Sequence, residues 1–513
     1  MREVVRTRFA GAALLAVAAL VVSLAPRQAR ANGRMPGAND VVFGALNADH
    51  LLLRATFGLL QTHDRGRGWQ WICEQAIDIS GVIADPPVGL TADGSLVLLP
   101  PTGGVLVSHD GGCSWSRDQA GPAARQGVDL TAHPSDAAQL FTLFSTVTSV
   151  DGGVAVFENR ILRTRDDART WELVANLPSD FSAETLELAK SDPQRIYVSG
   201  VDSVDPRLGV LLVSRDGGAH FEKHTLALPA GSGSLLVSAI HPSDPERVWL
   251  RVPARGDTIG LLPARLYLTT DGGAQFRQIA STQRGMFGFA LSPDGATLAY
   301  GGPADGLYVG PADGSGSFEK RGNQSIRCLR WHGSGALYAC ASEPTDPFSL
   351  GVSLDQGRSF SPLYRLATTC PSACAEGTQF ASACRSAWSP VQTALAAPGL
   401  MCSEPWAARA DAGMAPAEPD AGERDAGFDA GGDEQLDASA EEAGTQPEPP
   451  LEMDASAEDA SGEDASAEPA TRRRSSSGCH VRAATSAKSG LTWLTVFALI
   501  AICLAIRRGP FVR

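Results

Sequence analysis

The chain has 513 residues, 57 acidic against 43 basic, a formal net charge of −14, 54 glycines, 43% hydrophobic and 6% aromatic residues. Its length is ample for a large core. The acidic balance, with no basic surface interleaved with aromatics, excludes a nucleic-acid partner, and no Gly-rich phosphate loop, nucleophile elbow or histidine cluster points to a cofactor or a metal.

The first segment reads as an export signal. Arg2, Arg6 and Arg8 form a basic start, residues 10–24 are apolar, and Ala29-Arg30-Ala31 offers small residues for cleavage. Residues 1–31 are therefore expected to be a signal peptide, with the mature chain starting at Asn32 and an uncleaved anchor as the alternative.

From about residue 39 one eight-residue pattern, Ser/Thr-x-Asp-x-Gly-x-x-Trp/Phe, recurs seven times, first as THDRGRGW from Thr62 to Trp69. Its aspartates are Asp64, Asp110, Asp166, Asp216, Asp271, Asp313 and Asp355, separated by 46, 56, 50, 55, 42 and 42 residues. That spacing is the period of a propeller blade with four strands. The chemistry of the pattern is a turn that staples itself: the Asp accepts backbone N–H groups, the Gly takes a positive φ, and the aromatic opens the next strand. Around the first copy the four expected strands are VVFGAL, LLLRATFG, LLQTHD and WQWICE. The third copy, with Ala168 in place of Gly, and the sixth, with Pro311 and Ser315, are expected to be the looser turns. The fold expected over 39–366 is all-β, a single seven-bladed propeller.

These boxes resemble the Asp-box, or BNR, repeat of sialidases, sortilin-type receptors, xyloglucan-cleaving glycosidases and photosystem assembly factors. The resemblance implies boxes at the outer rim between the third and fourth strands of each blade, in a structural role. Arg54 in LLLRATFG lacks the Ile-Pro that accompanies the sialidase arginine. The tyrosines at 197, 267, 300, 308, 338 and 364 sit mostly in strand-like runs and read as packing residues. His63, His109 and His220 are variable box positions, and His133 and His241 belong to turns.

Three connections exceed the minimal blade: residues 149–160, 201–209 and 252–265. All are expected to join second to third strands, and so to share one face of the disc, with Arg207, Arg255 and Arg265 available to anionic groups.

Eight cysteines fall in the exported part, where disulfides are the default. Cys328 and Cys340 are expected to pair across a hairpin of the last blade, and Cys73 and Cys113 to bridge neighbouring blades. Cys370, Cys374, Cys384 and Cys402 occupy a cap over 367–406, where two bridges in any of three pairings would staple it to the last blade. A four-cysteine zinc site is the rival reading; no metal is expected.

Residues 407–478 read as a disordered Asp/Ala/Glu-rich stalk. From Asp411 to Ala470 there are 19 acids against Arg424 alone, so this segment carries −18 and the rest of the chain +4. Residues 479–513 hold the apolar run 491–506 followed by Arg507 and Arg508. Gly-Cys, apolar helix and terminal arginines are similar to the MYXO-CTERM sorting tails of myxobacterial surface proteins, with Cys479 at the processing position. An ordinary membrane anchor is the alternative.

The function expected from these segments is a non-catalytic binding or scaffold module, exported and held at the cell surface or outer membrane by its tail. It is expected to be monomeric, to need no cofactor, and to take an extracellular protein or polysaccharide as partner. A glycoside hydrolase, sialidase-like or of another Asp-box kind, is the alternative, and an assembly factor for membrane complexes the third possibility.

Overall fold

The computed structural model describes residues 35–79, 85–101, 103–118, 126–255 and 261–396. The signal, stalk and tail segments, with Cys402 and Cys479, lie outside them. Among the described residues no helix is long and apolar enough to cross a membrane; the run 491–506 also lies outside.

Seven antiparallel sheets follow one another along the chain. Blade 1 is β1 (Ala38–Phe43), β2 (Leu51–Ala55), β3 (Gly58–Thr62) and β4 (Trp69–Cys73). Blade 2 is β5 (Val88–Leu90), β6 (Leu96–Leu98), β7 (Val105–Ser108) and β8 (Ser116–Asp118). Blade 3 is β9 (Gly127–Ala132), β10 (Leu140–Asp151), β11 (Val154–Thr164) and β12 (Glu172–Leu177). Blade 4 is β13 (Phe181–Leu188), β14 (Ile196–Asp202), β15 (Leu208–Ser214) and β16 (Glu222–Ala227). Blade 5 is β17 (Leu236–His241), β18 (Asp244–Val252), β19 (Arg265–Thr269) and β20 (Arg277–Ser281). Blade 6 is β21 (Gly288–Leu291), β22 (Thr297–Gly302), β23 (Gly306–Pro311) and β24 (Glu319–Gly322). Blade 7 is β25 (Cys328–Trp331), β26 (Leu337–Cys340), β27 (Leu350–Ser353) and β28 (Ser361–Tyr364).

The first strand of each blade touches the first strand of the next, from β1 through β25 and back to β1, so the ring is closed and seven-bladed as the repeat count predicts. The apolar side chains gather between successive blades: Leu143, Ile161, Leu186 and Val198 join blades 3 and 4, and Ala299, Leu307, Leu329 and Ala339 join blades 6 and 7.

Strand order places the β1–β2 and β3–β4 type connections on one face, called here the box face. The β2–β3 type connections and the crossovers between blades lie on the other, the loop face. All seven eight-residue patterns join a third to a fourth strand. In blade 4, Ser214 Oγ donates to Asp216 Oδ1 (2.9 Å) and accepts from the Gly218 N–H (2.8 Å), while Asp216 accepts from the His220 N–H (2.9 Å). The aromatic closes the corner, as when Trp69 Nε1 donates to Gly66 O at 3.1 Å.

The two irregular copies part company. The sixth is reduced as expected, because Pro311 has no hydroxyl to offer; Asp313 still accepts the Ser315 N–H at 2.9 Å. The third is not loosened. Ala168 itself adopts φ 64°, its N–H reaches Thr164 Oγ1 at 3.0 Å, and Asp166 accepts the Thr170 N–H at 2.8 Å. The turn's hydrogen bonds and the packing of Ala168 among Val107, Leu140 and Leu162 hold a left-handed conformation that an alanine does not prefer.

The cap differs from expectation in structure and in placement. After blade 7 the chain forms a short strand, β29 (Thr369–Pro371), that pairs in parallel with β4 as a fifth strand of blade 1. A helix, α1 (Gln379–Ala394), follows; Thr378 caps its N-terminus by accepting the Ala381 N–H. Cys73 pairs with Cys384 and Cys113 with Cys374, so the cap is bolted to blades 1 and 2 rather than to the last blade, and the expected Cys73–Cys113 bridge is absent. Ring closure explains this: Cys73 and Cys113 face the strap that closes the circle. The hairpin bridge Cys328–Cys340 is present as expected, and Cys370 is also disulfide-bonded.

Two outcomes follow from this packing. Gly218→Ala puts a methyl on a residue at φ 98° and 2.9 Å from Val174 Cγ1 of blade 3, so it should destabilise by about 2 kcal/mol; an unshifted denaturation midpoint would contradict the close approach. Cys73→Ser with Cys384→Ser opens a bridge spanning 311 residues of chain and should cost about 2–5 kcal/mol, read by thermal or chemical unfolding.

Candidate functional site at the axial mouth

The first strands contact one another around the ring and so lie nearest its axis. Here Asp40 comes from β1, Asp129 from β9, Glu187 from β13 and Arg330 from β25. Arg330 Nε contacts Asp40 Oδ1 at 3.3 Å, and Arg54 Nη2 approaches Asp40 Oδ2 at 4.0 Å. Burial raises the Asp40 carboxyl, but the Arg330 and Arg54 charges outweigh it and hold the group below the ordinary carboxylate range. Arg330 is itself held further into its charged form, chiefly by Asp40. Its side chain is 52% exposed to solvent.

Asp129 and Glu187 behave in the opposite way. Burial, reinforced by the neighbouring Glu187 charge, pushes Asp129 up to about 7, against the lowering effect of two backbone N–H groups and Arg330. Burial likewise raises Glu187. Both also stitch blades together: Asp129 accepts the Leu186 N–H at 2.8 Å and the Leu130 N–H at 2.9 Å, and Thr131 Oγ1 donates to Glu187 Oε2 at 3.2 Å.

Next to Asp40, where Arg54 reaches it, a cavity of about 670 Å³ opens on the loop face. Its walls come from the ends of β2 and β18 and from the crossovers ahead of β1, β5, β21 and β25. They include Arg54, Arg251, Arg327 and Asp85 among apolar residues such as Leu236, Met286, Phe287 and Pro303. Arg54 is braced by Asp85 O (3.3 Å) and Pro86 O (3.2 Å). Arg251 donates from Nε to Ser238 Oγ at 2.9 Å and from Nη1 to Met286 O and Phe287 O, each at 3.3 Å.

The three long connections do join second to third strands and share the loop face. The first is a ribbon, with β10 and β11 paired out to Asp151 and Val154. The predicted arginines do not form one site. Arg207 is 82% exposed and forks onto Asp205. Arg265 is half-buried in β19 opposite Val252. Arg255 lines a cavity of about 400 Å³ with Glu184 and Ser234, which shares Leu236, Pro253 and Ala254 with the larger one. The residues the sequence reading missed are Arg251, Arg327, Arg330, Asp129 and Glu187. A lone charge inside an otherwise apolar first or second strand, as in CLRW and VWLRV, was the available signal. The tyrosines pack: Tyr197 donates to Pro245 O at 2.6 Å, and Tyr364 is buried against Trp69, with ring centroids 5.3 Å apart. Among the described residues no three or more His, Cys, Asp or Glu side chains are placed to hold a metal ion.

No protein-family model and no curated protein matches the chain. Among solved structures it is similar to an ancestral GH74 enzyme, at 12% identity and TM-score 0.48, over 64% of this chain and 46% of that one. It is also similar to YCF48 from Cyanidioschyzon merolae, at 14% identity and TM-score 0.41, over 59% of this chain and 92% of that one. A third is an α-L-arabinanase from Penicillium chrysogenum, at 15% identity and TM-score 0.34, over 50% and 87%. The chain spans under half the length of the GH74 structure. These likenesses concern the propeller fold alone.

Asp129 gives a pH test. Its folded pKa of about 7 lies above that of an unfolded aspartate, near 3.9, so its contribution to stability is complete below about pH 4 and is lost as pH rises toward 7. Asp129→Asn should therefore gain on the wild type as pH rises, in denaturation midpoints taken at pH 5 and pH 8. A constant difference between the two proteins would show that the carboxyl is ionised throughout.

Proposed function

We propose that the chain is an exported propeller displayed at the cell surface, whose axial mouth binds a protein or polysaccharide without turning it over. The observation that carries this reading is the open cavity of about 670 Å³ on the face that also bears all three long connections. The signal-like start, the acidic segment from Asp411 to Ala470 and the resemblance of the tail to sorting tails support display on a stalk held by the C-terminal segment. The Asp-box resemblance supports a structural role for the seven box aspartates, away from the ligand.

A second reading, an exported glycoside hydrolase, rests on one specific feature. Asp129, with a pKa of about 7 beside Glu187, has the protonation behaviour of a general acid. Binding without turnover is preferred because both oxygens of Asp129 already accept backbone N–H groups.

A combined glycan-array and glycan-hydrolysis screen on residues 32–410 separates the two. No release of reducing sugar is expected, from retained and unretained glycans alike. Release that survives repurification and disappears in Asp129→Asn or Glu187→Gln would replace this reading with the hydrolase.

A further inference from the structure

The loop face is unusual in two ways that coincide. Of the ten large apolar side chains that stand exposed among the described residues, seven lie on this face, including Val204, Leu261, Leu262 and Phe287. Two of the seven, Met35 and Phe287, also line the mouth cavity. The mouth cavity carries Arg54, Arg251 and Arg327 against Asp85, an excess of positive charge in its lining.

Arg251 is the least compensated of these. It extends from the end of β18, half-buried, and its guanidinium is anchored by Ser238 Oγ and by the carbonyls of Met286 and Phe287. Among the described residues no carboxylate lies within 4 Å of it, and Nη2 makes no hydrogen bond. Burial and the Arg330 charge pull its pKa down to about 10, against the raising effect of the Asp40 carboxylate. A half-buried cation with fixed orientation and a vacant donor is a preformed seat for a carboxylate, and the charge-assisted bond strengthens as the cavity is dried by its occupant.

Resting on the binding reading above, we propose that the mouth takes a protein segment presenting a carboxylate flanked by aliphatic or aromatic side chains, with the carboxylate on Arg251 and the flanks on Phe287, Met286 and Leu236. The apolar rim favours peptide over glycan. Sugar rings stack on flat aromatic faces, and among the described residues this mouth supplies only Phe287, whereas its other apolar walls there are aliphatic, thioether or proline. The carboxylate is a side chain or a free C-terminus; the chemistry at Arg251 is the same for both, and the test distinguishes them.

The test uses the full-length chain on an array of random dodecapeptides, each made with a free and with an amidated C-terminus, alongside oligogalacturonate fragments. Bound peptides should combine Asp, Glu or a free terminus with neighbouring Leu, Val or Phe. Replacing the acid by its amide should weaken them by about ten- to a hundredfold. Arg251→Met keeps the apolar stem and removes an uncompensated charge, so it should fold as well as the wild type and lose binding by the same factor, while Arg251→Lys retains part of it. Phe287→Ser, at a side chain 40% exposed, leaves the fold intact and should weaken the same peptides. Peptide binding indifferent to both positions, or to the acid, would overturn the assignment and leave the binding reading standing. Oligogalacturonate held through Arg251 where no peptide binds would overturn the peptide class. Retention of neither peptide nor glycan would overturn both readings.

Discussion

The structure depends on how its circle is closed. The four core strands of each blade are a continuous run, so none of β1–β4 is supplied by the chain that follows blade 7, and the contact between blades 7 and 1 must be held by other means. Trp69 does part of this, lying against Tyr364 with its Nε1 3.4 Å from Leu363 O. The rest is a strap: β29 adds to the outer edge of blade 1, α1 sets Trp388 against Trp71 at 5.5 Å, and Phe380 N–H reaches Cys113 O at 2.9 Å. Two disulfides then fix the strap to blades 1 and 2. Covering β4 also removes one exposed sheet edge.

Closure is what creates the functional geometry. Only in a complete ring do charges on β1, β9, β13 and β25 share one wet channel. There the carboxylates divide by surroundings: Asp40 beside two arginines stays ionised, and Asp129 beside Glu187 is pushed toward its neutral form. At the mouth, Arg251 feels the Asp40 charge but has no carboxylate within 4 Å among the described residues. Asp129 and Glu187, the channel carboxyls with raised pKa values, are engaged in joining blades 3 and 4.

Much of this was legible in the sequence, for identifiable reasons. A turn that depends on Asp, Gly and an aromatic at fixed offsets repeats locally, so Asp64 through Asp355 announce blade count and strand positions without reference to distant parts of the chain. The Cys328–Cys340 pair was visible because its 12-residue separation matches one hairpin. Cys73 and Cys384 are 311 residues apart and meet only when the ring shuts, so neighbours in sequence were mistaken for neighbours in space. The axial charges were hidden for a related reason: in a single strand Asp129 or Arg330 looks like a solvated face, and only seven such faces turned inward make a channel. The strength of the third turn was misjudged because residue type at Ala168 was weighed above the hydrogen bonds of Thr164 and Asp166 that impose its backbone.

The most direct measurement is hydrogen–deuterium exchange of the full chain with and without whatever ligand the arrays return. The account predicts protection at the loop-face ends of β2, β17 and β18 and through residues 284–287, with the seven box turns unchanged and the ligand recovered intact. Protection confined to the box face, or recovery of a cleaved ligand, would contradict it.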